Sequence, residues 1–255
     1  MSNYKPAKAD NRRAELRRQQ EAAARAAQRK KIVIGVVAGL CALVLVVGVV
    51  ALVRNFQQAE AANRPPNANS DGSGIIVNPG KAKEGAPVVA LFQDYQCPAC
   101  KQFEDAYGAS LTELADSGDI QLEYHTMTFL DTNLRNDASK RAGIAAACAD
   151  TVGHYADYHD TVYKNQPSSE GEGYTDEQLT GEFAQQAGIT GQALTDFQAC
   201  FQTRKMESWV SKTDQAAGKA GVTGTPALQV NGKEVEIQSL GDPSQLKSAI
   251  DKAAA

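Results

Sequence analysis

Cys97 and Cys100 stand two residues apart in the stretch FQDYQCPACKQFEDAYGAS, with Pro98 and Ala99 between them. Two thiols at that spacing form half of a zinc site, close a structural disulfide, or exchange electrons with other proteins as a dithiol. Zinc asks for about four ligands, and the chain has a single Cys-x-x-Cys. The three histidines do not complete a site: His154 and His159 are five apart and diverge on a helix, and His125 falls in a strand pattern. A purely structural bridge leaves unused the helix that follows. Pro98 suits the first turn of that helix, where its missing N–H costs nothing. A thiol at a helix N-terminus meets unpaired N–H groups and the positive end of the dipole, and both favour the nucleophilic thiolate. Cys100 lies one turn further on the same side, placed to bond Cys97 or to resolve a mixed disulfide formed on it.

The flanking pattern supplies elements to hold that pair. Val88 to Phe92 is almost wholly apolar and reads as a central strand buried on both faces. The chain turns at Asp94-Tyr95-Gln96, and Phe103, Tyr107 and Leu111 recur at helical spacing to about Ala115. Ile120 to Met127 alternates as a half-buried strand, so the order is strand–helix–strand, the opening of a parallel sheet. A helical region follows from about 137 to 219, interrupted by SSEGEGYT, with Ile144, Cys148, Val152, Tyr155 and Val162 on one apolar stripe. Leu179 and Phe183 mark a second helix, and Leu194, Phe197, Cys200 and Phe201 open a third segment. GVTGTPALQVNGKEVEI reads as a hairpin turning at Asn231-Gly232. Asp242 and Pro243 suit the cap and first position of a closing helix. GIIVNPGKAKEG is not a phosphate loop: five residues separate Gly74 from Gly80 where four are needed, and Ala82 follows the lysine.

The N-terminal quarter has a different composition. Residues 1–31 carry ten Lys or Arg against three Asp or Glu, and residues 32–53 carry no charge. The arm's +7 leaves the rest of a chain of net charge −4 at −11. So acidic a body is a poor nucleic-acid binder, since phosphate backbones are held by Lys and Arg. Ile32 to Val53 is apolar throughout, and as a helix it reaches about 33 Å, enough to cross a hydrocarbon core. A cleaved signal has a shorter apolar region and a small-residue site behind it, whereas Arg54, Asn55 and Phe56 follow here. The reading is a single uncleaved transmembrane helix. The basic arm (1–31) stays in the cytoplasm and the remainder faces outside the cell membrane. Cys41 within the span is an apolar filler. Residues 54–74, rich in Asn, Ala, Pro, Ser and Gly, read as a flexible linker to a head covering 75–255.

The DYQCPAC turn and helix, the cysteines in AAACAD and FQACF, and GVTGTPALQVNG together resemble a DsbA-like member of the thioredoxin superfamily. The resemblance covers about residues 75–255 and its membrane-anchored form is similar to thiol–disulfide enzymes of actinobacterial envelopes. It implies an α/β thioredoxin fold with a helical insertion at about 137–219. It also implies an oxidoreductase that forms disulfides in exported proteins bearing free cysteines. Cys97 is then the attacking thiol and Cys100 the resolving one. No organic cofactor or metal is implied, and a membrane redox partner, quinone-linked in relatives, recycles the dithiol. Pro226 reads from sequence as an ordinary proline at a strand start; the resemblance instead implies a cis Thr225-Pro226 bond facing the cysteines, with Thr225 touching substrate. Two features depart from the pattern. Pro98-Ala99 lacks the histidine that strongly oxidising relatives carry, so a less extreme potential is expected. The acidic residue often found six before the first cysteine is Leu91, and Asp94 is expected to cap the helix rather than shuttle protons. Cys148 and Cys200, both on apolar helix faces, are two buried thiols or one structural bridge, and a compartment that permits disulfides favours the bridge. Two other functions use the same features: a reductase, for instance in cytochrome c maturation, and a peptide-binding module without catalysis.

Overall fold

The computed structural model describes residues 6–255, with the side chains of 6–11, 26–27, 32–33, 36, 38, 42 and 55–62 outside that description. The chain divides into two compact units at Ala61 and Ala62. In the first unit the arm and the apolar stretch form one helix, α1 (Pro6–Ala62). Among the described residues no helix is long and apolar enough to cross a membrane. Within the expected span, Ile32, Val33, Val36, Ala38 and Ala42 lie outside the described side chains. Its described large apolar side chains, including Leu43, Val44, Leu45, Val46 and Val47, are exposed.

The second unit is built on a five-stranded sheet ordered β1-β3-β2-β4-β5. The strands are β1 (Ile75–Val77), β2 (Val88–Gln93), β3 (Gln121–Thr126), β4 (Ala227–Val230) and β5 (Lys233–Val235). Strand β2 is the central strand of the five, and its apolar run is buried on both faces. It pairs parallel with β3, Leu91 opposite Tyr124, and antiparallel with β4, Phe92 opposite Ala227. That register sets the C-terminal end of β2 beside the start of β4. The cysteine turn and the Thr225-Pro226 bond therefore meet at one end of the sheet. Asn231 and Gly232 both take positive φ, 50° and 75°, as the tight hairpin between β4 and β5 requires.

Helices cover the sheet. The helix that starts at the cysteines runs through α2 (Pro98–Phe103), a π turn (Glu104–Gly108) and α3 (Ala109–Asp116). After β3 come α4 (Phe129–Leu134), α5 (Ala138–Thr151) and α6 (Tyr155–Lys164). A second π turn (Gln178–Glu182) leads into α7 (Phe183–Gln186), followed by α8 (Gly191–Gln202) and α9 (Glu207–Lys219). The chain closes with α10 (Leu246–Ala254), entered through a turn whose Asp242 carboxylate accepts from Ser244 N at 3.1 Å. One core joins the sheet to the inserted helices, with Leu91, Leu122, Ile144, Tyr158 and Phe197 inside it. A smaller one, Ala90, Phe92, Met127, Ala217 and Val222, fills the opposite sheet face.

One boundary differs from expectation. The segment before Gly74 reads as a flexible linker, yet its last part is fastened to the head. Asn67 donates from its backbone and side chain to Asp150, at 2.9 and 2.8 Å. Asn69 donates to Glu123 at 2.7 Å, and Ala68 bridges Ile75. The composition is that of a loop, but the asparagines supply donors to two buried carboxylates: Asn67 serves Asp150, and Asn69 joins Gln121 in serving Glu123. Gly74 is required at this point, because a Cβ there would lie 2.7 Å from the His125 ring.

Candidate active site

The chain leaves β2 at Gln93 and turns so that Cys97 N donates to Asp94 O at 2.9 Å. Cys97 is the N-cap of α2, in extended geometry, with Pro98 in the first turn. Its carbonyl accepts from Cys100 N at 3.1 Å and Lys101 N at 3.2 Å. Cys97 is 8% exposed and Cys100 fully buried, and both are free thiols in this structure. Cys97 Sγ lies 3.5 Å from the carbonyl oxygen of Thr225, and the Thr225-Pro226 bond is cis. A cleft of about 320 Å³ runs beside it, lined by Gly224, Thr225, Pro226, Gln229 and Glu236.

Burial splits the two thiols chemically. Cys97 is drawn down to about 6, first by a hydrogen bond from the Cys100 thiol to its thiolate, against the opposing effect of burial. The N–H groups of Cys100 and Ala99 add to the same effect. Cys100 is pushed well above the ordinary thiol range, first by burial and then by Cys97 itself. The pair is thus a thiolate that just reaches the surface, backed by a fully buried thiol.

Asp94 does not cap the helix. Its carboxylate is fully buried and turns away, accepting from Gln96 N at 2.9 Å, Ser139 Oγ at 2.6 Å and Leu130 N at 3.3 Å. It ties the cysteine turn to the starts of α4 and α5, and burial raises its pKa to about 7. Leu91 fills the core from β2. Cys148 on α5 and Cys200 on α8 are joined as a disulfide, Cα–Cα 5.8 Å.

Two residues with no signal in the sequence also hold the turn. Gln166 Nε2 donates to the carbonyls of Tyr95 and Cys97, at 2.9 and 3.1 Å, and the Tyr174 hydroxyl donates to Tyr95 O at 2.6 Å. Both belong to the segment between α6 and α7 that reads only as a helix break. No spacing rule connects a lone glutamine in a loop to a cysteine 69 residues away.

A thiol pair at a helix start, facing a cis-proline at the end of a mixed sheet, defines a thioredoxin-fold thiol–disulfide oxidoreductase. Residues 80–252 match the thioredoxin family, and the chain belongs to it. It is similar to disulfide bond formation protein D of Bacillus subtilis, 26% identical over 198 residues covering 74% of this chain and 84% of that protein. Among solved structures it is similar to DsbA from Mycobacterium tuberculosis in the reduced form. There the TM-score is 0.54 and the identity 26%, covering 71% of this chain and 99% of that one. The MdbA thiol-disulfide oxidoreductase of Actinomyces oris shares the fold, with TM-score 0.62 and 21% identity over 75% of this chain and 92% of that one. The chain is a DsbA-like enzyme of thiol–disulfide exchange.

Proposed function

We propose that this enzyme is a membrane-tethered oxidase that introduces disulfides into exported proteins from outside the cytoplasmic membrane. The direction is supported by the setting of Cys97 at the N-terminus of α2, where the neighbouring Cys100 thiol and the helix start draw it down to about 6. A stabilised thiolate is a good leaving group and favours the dithiol product, so the disulfide form is an oxidant. A substrate thiolate attacks Cys97 Sγ, breaking the Cys97–Cys100 bond. The displaced Cys100 thiolate takes a proton, as its buried setting demands. A second substrate thiolate then attacks the substrate sulfur of the mixed disulfide, and Cys97 leaves as the thiolate. Two electrons remain on the dithiol, and a membrane redox partner accepts them. Thr225, whose carbonyl lies 3.5 Å from Cys97 Sγ, and Pro226 border the cleft and would hold the substrate strand.

The tether rests on the sequence: 22 uncharged apolar residues preceded by a strongly basic arm. Such a stretch spans a bilayer as one helix, with the basic side in the cytoplasm. Protease added to cells without their wall should then digest the head and spare residues 1–31. A mature chain starting after residue 53 would sink the anchor. The oxidase reading is tested separately, with oxidised full-length protein and a reduced unfolded substrate that regains activity on forming its disulfides. Recovery should be fast with wild type and absent with Cys97→Ser. Thiol trapping in cells should find the pair mostly oxidised. A pair found reduced, with exported proteins normally cross-linked, would contradict the oxidase.

A further inference from the structure

Beneath the cysteine turn the head buries a second group of chemistry-bearing side chains. Ligand atoms of Glu104, His159 and Asp160 all lie within 4.8 Å of one another. Glu104 opens the π turn of the active-site helix, and His159 and Asp160 are consecutive on α6. The side chains of Glu104 and His159 are 7% and 2% exposed, while Asp160 lies at the solvent edge. His159 Nδ1 is paired with the Tyr95 hydroxyl at 3.1 Å, and the Tyr124 ring stacks on the imidazole at 4.1 Å. An imidazole whose Nδ1–H is held by a neighbouring oxygen presents its Nε2 lone pair outward, as metal-ligating histidines do.

Nε2 stands 3.4 Å from Glu104 Oε1. That is long for a charge-assisted hydrogen bond, which runs at about 2.7–2.9 Å. It matches the edge of a tetrahedron, since ligands roughly 2.0–2.2 Å from a zinc ion stand about 3.4 Å apart. Two residues that touch this group, each 3% exposed, carry buried polar atoms without hydrogen-bond partners, Tyr124 Oη and Gln93 Oε1. The Tyr124 hydroxyl faces the Glu104 carboxylate, and the Gln93 amide nitrogen donates to Glu104 Oε1. Space beside Glu104 is kept open by Gly108, where a Cβ would collide with Glu104 Oε2.

We propose that Glu104, His159 and Asp160 bind one divalent transition-metal cation of the zinc class, with Tyr95 orienting the imidazole. Two carboxylates balance the dication, and an imidazole ligand selects zinc-like ions over calcium or magnesium. The open side at Asp160 admits the ion and leaves a position for water. The site contains no thiol, so the sequence argument against zinc at the cysteines does not reach it. Bound metal would pin α6 to the active-site helix and, through Tyr95, brace the turn that carries Cys97.

The test uses the untagged full-length chain with Cys97–Cys100 oxidised and Cys41 alkylated, so that no thiol competes. Zinc chloride is titrated against a fluorescent chelator. One zinc per chain is expected, with a rise in thermal midpoint. X-ray absorption should show imidazole nitrogen and oxygen ligands. Asp160→Asn, at the solvent edge, should weaken binding about tenfold or more, since substitutions even outside the ligand set cost that much, and His159→Gln should abolish it. Wild type without saturable binding would overturn the site. So would Asp160→Asn binding zinc as tightly as wild type, which decides the matter even if His159→Gln fails to fold.

Discussion

The Cys97 thiolate owes its stability first to the hydrogen bond from Cys100, so removing that donor has a defined effect. Thiolate absorbance of the reduced enzyme should titrate near about 6, and in Cys100→Ala the midpoint should move up toward the free-thiol range. An unmoved midpoint would assign the effect to the helix end alone. Asp94 titrates in the opposite sense. Burial raises its pKa to about 7 from an ordinary 3.8, so the folded state holds a proton that the unfolded chain has lost. Its contribution is fully present below about 4 and is lost as pH rises through about 7. Denaturant unfolding of the oxidised protein should therefore show wild type losing stability relative to Asp94→Asn between those limits, and levelling above them. The cysteine pair was legible because its motif is local and its helix follows at once. The burial of Asp94 was not, because Ser139 and Leu130 reach it only through the tertiary fold.

At the level of elements, the strand–helix–strand opening, the inserted helices and the Asn231-Gly232 hairpin were readable from periodicity and turn chemistry. Strand β1 escaped notice because three residues carry no period, and it forms by pairing with β3. The docked asparagines of 67–69 escaped for a related reason: their acceptors, Asp150 and Glu123, lie far along the chain. The α5–α8 bridge closes a separation of 52 residues, for which chain entropy suggests a contribution of about 4 kcal/mol. Cys148→Ala should lower the thermal midpoint while leaving Cys97 reactivity toward iodoacetamide at its wild-type rate. Loss of that reactivity in folded protein would tie the bridge to the redox site. The loop between α6 and α7 acts on the site itself through Gln166. Gln166→Ala leaves the Cys97 carbonyl with one donor fewer and disfavours negative charge beside it. The Cys97 midpoint should rise, by less than in Cys100→Ala, and a midpoint equal to wild type would reduce Gln166 to a packing role.

The whole molecule joins a basic arm and an apolar stretch to an acidic head whose thiol pair faces the cis Thr225-Pro226 bond at one end of the sheet. Charge asymmetry and the uncharged run were visible in composition alone. The extent of the head was not, since its fastening begins among residues that look like linker. What the molecule does depends on where its disulfide sits relative to those of its substrates and partners. Pro98-Ala99 supplies no charge to the thiolate, while the Cys100 hydrogen bond and the helix N–H groups do the stabilising. The most direct measurement is the equilibrium of Cys97–Cys100 in the full-length protein against graded glutathione buffers at pH 7. An oxidase of the kind described should give a potential above about −230 mV, short of the extreme near about −120 mV reached by DsbA. A potential below about −230 mV, in the range of reducing thioredoxins, would contradict it.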